Sequence, residues 1–235
     1  MQSFTDTLIQ SIVLIASGDP DLMEIIGLSL RVTLTAVAIG CVIGLPLGAA
    51  LGSFRFPGRT LLIVLLNALM GMPPVVIGLL VYLALSASGP LGPLRLLYTP
   101  TAMIIAQTLL VAPIIAALCR QVIEDVDSEY REQFTSLGVG VFDRVMALLW
   151  DARFSLLTVA LAGFGRAVAE VGAVLIVGGN INHVTRVMTT TIALETSKGN
   201  LELALALGVV LLLLAIFVNA LVMALRATAT RAAYV

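Results

Sequence analysis

The chain has 235 residues, 60% of them apolar and 11% charged, with a formal net charge of −1 and a mean hydropathy of +1.09. A soluble globular domain carries about 25% charged residues, so this composition describes an integral membrane protein. The near-zero net charge gives no basis for nucleic-acid binding, and Cys41 and Cys119 lie in or beside apolar runs without metal or redox spacing.

A hydrocarbon core about 30 Å thick needs roughly 20 apolar helical residues, and only helices or closed barrels satisfy the backbone in lipid. The apolar runs lack strand-type alternation, which predicts an all-α integral membrane fold with about five transmembrane helices. Residues 1–24 carry Asp6, Asp19, Asp21 and Glu24 and no basic residue. They lack the basic start of a signal peptide and read as an external amphipathic helix closed by Gly18-Asp19-Pro20. A transmembrane domain over 25–228 and a cytoplasmic tail over 229–235 complete the expected organisation.

The first span is expected over 25–53, with Gly40, Gly44, Gly48 and Gly52 at four-residue intervals on one face. Pro46 should bend it. The second, over 60–86, has Pro73-Pro74 in the middle of its apolar length. Two prolines interrupt the helical ladder, either as a broken helix bordering a path or as a packing kink. A third span over 100–118 contains Gln107 and Pro113, and a polar segment from Arg120 to Arg153 follows. The fourth span, 154–177, a polar link, 178–200, and a fifth span, 201–225, end the series. With the central polar segment inside, eight basic residues fall on the cytoplasmic side against three outside. The positive-inside rule then places the amino terminus outside and the carboxyl terminus in the cytoplasm.

Arg166 and Glu170 stand four apart in the fourth span, so on one helix they share a face. A charge facing lipid at the bilayer centre costs about 2.5–3.5 kcal/mol on insertion scales, so both must face protein or water. A structural ion pair and a gate are the two readings, and Gly165, Ala169 and Ala173 offer an adjacent close-packing seam. In the polar link, Asn180, Asn182, Thr185, Thr189, Thr190 and Thr191 have the hydroxyls and amides that bind an anion weakly and reversibly, with Arg186 as a steering charge. The same residues equally suit loop and cap chemistry. His183, the single histidine, is expected to be exposed and without a role.

The polar segment reads Glu132-Gln133-Phe134-Thr135-Ser136-Leu137-Gly138. This resembles the coupling loop of ABC importer permeases, with Glu132 and Gly138 matching and Gln133 and Phe134 in place of two alanines. The proline usual further on is absent; the chain has Leu148-Leu149-Trp150-Asp151 there. Pro73 to Leu79, Gly163 to Ala173 with Gly178 to Ile181, and Thr185 to Gly199 resemble the molybdate, tungstate and sulfate oxyanion permeases, the tungstate-type branch most closely. The similarity covers about 25–225.

The resemblance implies a type I ABC importer permease architecture with a coupling loop at about 124–153. It implies a second copy of the chain, a cytoplasmic ABC ATPase dimer, an external substrate-binding protein, surrounding lipid and an oxyanion substrate. Gly-x-x-x-x-Gly-Lys-Ser/Thr is missing from the chain, so ATP and Mg belong to the partner and no cofactor is expected here. Glu132, Gln133, Phe134, Gly138, Gly140, Val141 and Leu148 become candidates for ATPase coupling. In that segment Gly138 and Gly140 permit a tight turn, while Val141, Val145 and Leu148 or Leu149 recur at helical spacing as a buried face. Pro73, Pro74, Arg166, Glu170, Asn180, Thr185, Arg186, Thr189 and Thr190 become candidates for the translocation path or gate. No catalytic or metal-binding residues are expected. An ion-gradient-driven transporter using Arg166 and Glu170 is the alternative, and an intramembrane enzyme lacks the necessary residues.

Overall fold

The computed structural model describes the backbone of residues 4–233 and the side chains of residues 8–224. Its elements are α1 (Phe4–Ala16), α2 (Pro20–Ser53), α3 (Arg59–Met70), α4 (Pro74–Leu85), a short 3-10 turn (Gly92–Leu94), α5 (Pro100–Ser136), α6 (Val141–Asp151), α7 (Arg153–Val168), α8 (Gly172–Gly178), α9 (Met188–Lys198) and α10 (Leu201–Ala233). Among the described residues α2, α5 and α10 are long and apolar enough to cross a membrane. The count reaches five when the broken pairs α3 with α4 and α6 with α7 are each taken as one span.

Several expected boundaries move. The helix that carries the third span does not stop at Leu118: α5 runs on through the charged stretch to Ser136. No glycine or proline interrupts the chain between Pro113 and Gly138, and the polar stretch carries its own i,i+4 pairs, Arg120–Glu124 and Arg131–Asp127. Pro46 and Pro113 sit inside continuous helices, whereas Pro73-Pro74 separates α3 from α4. Pro73 is extended (φ −61°, ψ 128°) and Pro74 starts the new helix, where a missing N–H costs nothing. The fourth span is also interrupted, between Val168 and Gly172. The expected turn at Gly18-Asp19-Pro20 separates α1 from α2, with Gly18 left-handed and Pro20 opening the new helix. None of the seven residues of the expected cytoplasmic tail has a described side chain, and the final two lie outside the described residues.

The chain divides into two compact units. One comprises Met1–Ala36, Pro73–Gln107 and Ala167–Val218; the other comprises Val37–Met72, Thr108–Arg166 and Asn219–Val235. In the first, Leu22, Ile25, Met188 and Leu207 form a buried cluster joining α2, α9 and α10. There α4 packs closely on α8, because Gly78 leaves room for Ala173: a Cβ at Gly78 would stand 2.7 Å from the Ala173 Cα.

In the second unit the glycine series of α2 meets α5. A Cβ on Gly44 would lie 2.9 Å from the Ala112 oxygen, and one on Gly48 only 2.4 Å from the Ala116 oxygen. The small residues therefore allow backbone-to-backbone approach, the usual basis of helix association in lipid. Leu51, Leu66, Ala116 and Ala117 close the contact. Val42, Ile43 and Leu47 of α2 remain exposed, as expected for side chains directed to lipid.

Candidate functional site

The polar segment is a helix, a turn and a second helix. Gly138 has φ +65°, and the bonds around it, Gly138 N–H to the Thr135 oxygen at 3.3 Å and Val139 N–H to the Phe134 oxygen at 3.1 Å, form a Schellman cap on α5. Gly140 does not share that role. It is extended at φ −63° and ψ 152° and precedes α6, a conformation open to any residue.

α6 has two faces. Leu148 is 1% exposed and Arg144 half-buried, while Val141, Phe142, Met146 and Trp150 are exposed. Val141 thus leaves the expected buried face, because the inward stripe runs through Arg144 and Leu148. The exposed apolar side borders an open groove of about 470 Å³ lined by Asp143, Met146, Ala147, Leu149 and Trp150. On α5, Glu132 and Gln133 are exposed and Phe134 half-buried. The Phe134 ring lies 6.0 Å from Tyr130 and 5.9 Å from the Arg144 guanidinium.

What orders this segment is Asp127, 1% exposed. Arg144 donates Nε to its Oδ1 at 2.7 Å and a terminal nitrogen to the same oxygen. Arg131 donates to Oδ2 at 3.2 Å. On the preceding stretch of α5, Glu124 pairs with Arg120 and with Arg59 of α3. After α6 the chain bends by 70° into α7, with Arg153 stacked 4.7 Å from Trp150 and 4.6 Å from Phe154.

Arg166 and Glu170 do not lie on one helix. Arg166 is in the last turn of α7, and Glu170 follows its end at Val168. The backbone leaves the α pattern there, with Glu170 N–H reaching the Ala167 oxygen at 3.2 Å. Glu170 is 3% exposed, and its Oε1 accepts the Ala173 N–H at 3.1 Å, capping the start of α8. Its carbonyl accepts the Thr189 hydroxyl at 2.9 Å. The close-packing positions also shift. Of the expected seam Ala173 packs closely, on Gly78, but Gly165 has nothing within 4 Å of a notional Cβ and Ala169 is exposed, whereas a Cβ on Gly163 or Gly172 would stand 2.9 Å from the side chain of Ile115 or Val75.

The polar link encloses its own hydroxyls. Thr185 is fully buried and donates to the Gly178 oxygen at 2.6 Å. Thr191 donates to the Val187 oxygen at 2.7 Å, and Thr190 is directed to Asn180 Oδ1 at 3.0 Å and the Val187 oxygen at 3.1 Å. A hydroxyl has one proton to donate, so these threonines have none left for an anion. Asn180, left-handed at φ 49°, keeps only a 3.4 Å contact from Nδ2 to the Thr190 oxygen. It borders a cleft of about 360 Å³ with Leu175, Gly179, Thr190, Ala193, Leu194 and Ser197. Arg186 is half-buried with an Nε that has no partner among the described residues. Thr185, Thr189 and Arg186 do not border that cleft.

A long amphipathic coupling segment, two interrupted spans and a polar cleft therefore occur on one chain. The family model described as "binding-protein-dependent transport system inner membrane component" matches residues 44–230. The chain belongs to this family. It is 42% identical over 205 residues to a probable anion ABC transporter permease protein of Haloferax volcanii, covering 85% of this chain and 88% of that one. It is 42% identical over 213 residues to the tungstate uptake system permease protein of Peptoclostridium acidaminophilum, covering 91% and 93%. To the sulfate transport system permease protein of Escherichia coli it is 31% identical over 177 residues, covering 72% and 60%. This is a multi-pass membrane transport subunit of type I ABC permease fold.

In the permease, the coupling candidates Glu132 to Gly138 and Gly140 to Leu148 form one continuous feature. The path candidates do not: Pro73 and Pro74 mark one helix break, Arg166 and Glu170 border another, and only Asn180 and Thr190 share the cleft. Sequence reading passed over Asp127, which resembles any solvated acid in a charged stretch, and gave Gln107 no partner. The Gln107 amide donates Nε2 to the Ala167 oxygen across 60 positions of sequence. It also left His183 alone, although its Nδ1 lies 2.8 Å from Glu24. Hydrogen bonding to Glu24 raises the His183 pKa above its ordinary value.

Proposed function

We propose that this permease is the membrane-spanning subunit of an ATP-driven importer for tungstate. The observation that carries the reading is the 42% identity, over 91% of the chain, to a tungstate uptake system permease protein. The physical features agree with it. The exposed apolar side of α6, Phe142, Met146 and Trp150, is suited to a groove on a cytoplasmic ABC ATPase dimer, with Glu132 and Gln133 beside it. ATP and Mg bind that ATPase, because the permease sequence lacks a phosphate-binding loop. An external binding protein delivers the anion, and a second copy of the permease completes the path within the lipid. The distribution of arginines supports an external amino terminus and a cytoplasmic carboxyl terminus.

Pro73, Pro74, Arg166 and Glu170 border the helix breaks that let spans shift, and Asn180 with Thr190 offers a weak polar contact along the way. Arg186 steers the anion, and Thr185 and Thr189 hold the link in shape. Weak contacts suit transport, since a tetrahedral dianion must exchange its hydration for donors without being trapped. Molybdate is nearly isosteric with tungstate and is a second substrate; sulfate is a third, favoured by the 31% identity to a sulfate permease.

The test is uptake into proteoliposomes holding the permease, its ATPase and its binding protein. ATP-dependent accumulation of tungstate, with molybdate and sulfate competing less well, is expected. Uptake that proceeds without the ATPase, or sulfate accumulating in preference to tungstate, overturns the reading. Glu132→Ala and Gly138→Pro are expected to abolish co-purification of the ATPase; intact assembly and uptake in both would remove the coupling assignment.

A further inference from the structure

Two features of α6 need a common cause. Its apolar residues Phe142, Met146 and Trp150 recur every four positions and are exposed at 75%, 53% and 71%, so little apolar burial fixes how the helix sits. Its inner face carries one buried polar anchor, while the half-buried Tyr130 of α5 also bonds Asp151 at the far end of α6. The Arg144 guanidinium is bound through Nε and a terminal nitrogen to Asp127 Oδ1. Arg131, one turn further along α5, takes Oδ2. Both carboxylate oxygens are thus engaged, and the Asp127 side chain is 2% exposed. Four residues beyond Arg144, Leu148 supplies the buried apolar contact. Gly138 turns the chain through a left-handed residue whose Cβ position meets nothing within 4 Å, so the turn itself adds no side-chain buttress.

We propose that Asp127 is a positioning residue for coupling: it fixes the pose of α6 on α5, so that a displacement delivered to α6 moves α5 rather than being absorbed at the turn. The proposal rests on the reading of α6 as the ATPase-docking helix. Charge-assisted, fork-type bonding suits this task, because it fixes direction as well as distance. A buried carboxylate deprived of its arginine is strongly unfavourable, so the link is kept through the transport cycle. Arg131 closes the second oxygen from the α5 side and prevents the carboxylate from rotating away.

The experiment compares Asp127→Asn and Asp127→Glu in the full permease. In the purified permease alone, Asp127→Asn is expected to speed amide hydrogen exchange in residues 141–151 at least tenfold while exchange in the membrane part of α5 stays unchanged. In the assembled transporter it retains the ATPase but hydrolyses at least fivefold more ATP per anion imported. Asp127→Glu, which restores a carboxylate, recovers at least half of the coupling. Wild-type exchange together with wild-type coupling in Asp127→Asn overturns the proposal, as does uncoupling with unchanged exchange in α6. Should Asp127→Asn fail to accumulate, Arg144→Gln removes the same link from its more exposed end and is read by the same two measurements. If wild-type permease captures no ABC ATPase, the docking reading falls, while the exchange measurement still decides whether Asp127 holds α6.

Discussion

Gln107 donates its Nε2 to the carbonyl oxygen of Ala167 at 3.1 Å, while Oε1 of the same amide is buried without a partner among the described residues. Beside this amide is a cavity of about 10 Å³ bordered by Ser29, Thr33 and Thr189, close to the smallest volume that holds one water. A water held there would donate to Oε1 and accept from a bordering hydroxyl. Gln107→Leu is then expected to lower stability by about 1–3 kcal/mol, the range for leaving a buried polar partner unsatisfied. Chemical or thermal unfolding in detergent measures it. If Gln107→Leu is neutral or stabilising, the site is dry and Oε1 was a cost.

The glycine series makes a sharper contrast. A Cβ at Gly48 would stand 2.4 Å from the Ala116 oxygen and 2.7 Å from the Cys119 Cβ. Both are fixed atoms, so the helices must separate. Overpacking of this kind costs about 1–3 kcal/mol, outweighing the roughly 1 kcal/mol that alanine gains over glycine in a helix. Gly48→Ala is therefore expected to lower the melting temperature. Gly165→Ala, with nothing within 4 Å, is expected to leave it unchanged or raise it. Equal shifts in both variants would place the close contact elsewhere.

The spans were legible because lipid imposes a length and an apolar composition that few residues can disguise. The break at Pro73-Pro74 was legible for the same local reason: proline removes a donor wherever it stands. The break after Val168 was not. It depends on Glu170 capturing the Ala173 N–H and on Thr189 approaching the Glu170 carbonyl, and the latter contact spans 19 positions. The coupling segment showed Gly138 plainly but concealed Asp127, because its partner Arg144 lies 17 residues away. Thr185, Thr190 and Thr191 suited anion binding and local capping equally, and their backbone acceptors decide for the latter. The particular acceptor each polar group finds, near in sequence for the threonines and distant for Asp127, decides these roles.

Glu24 and His183 form an exposed link between the start of α2 and the polar link, at 2.8 Å. The hydrogen bond to Glu24 and then its charge raise the His183 pKa, with Asp21 adding to them and Arg186 opposing. A raised folded-state pKa means the stabilisation is complete below the ordinary value of about 6.5 and is lost as pH rises through the folded value. Because His183 is the only histidine, its titration can be followed by selective labelling. An apparent pKa above about 6.5, brought back down by Glu24→Gln, is expected. No difference between the two proteins would show that the pair does not persist in solution.

Asn180 permits a separation of backbone from side chain. Its φ of 49° is accessible to asparagine and glycine at little cost, so Asn180→Gly removes the amide while leaving the turn intact. Of the polar groups bordering the cleft, this amide has the longest internal donor contact, 3.4 Å. Thr190 and Ser197 donate at closer range to internal oxygens. If Nδ2 meets the passing anion, its loss removes a hydrogen bond to a charged group, about 1.5–3 kcal/mol. When that contact is made only at the barrier, the corresponding fall in maximal uptake is roughly tenfold to a hundredfold. Asn180→Gly should show this fall with unchanged ATPase assembly and only a small drop in melting temperature, because the Thr190 hydroxyl retains the Val187 oxygen. Thr185→Val should instead lose stability, since it releases the Gly178 oxygen and the Ile181 N–H together. Full uptake in Asn180→Gly would move the anion's route away from this cleft.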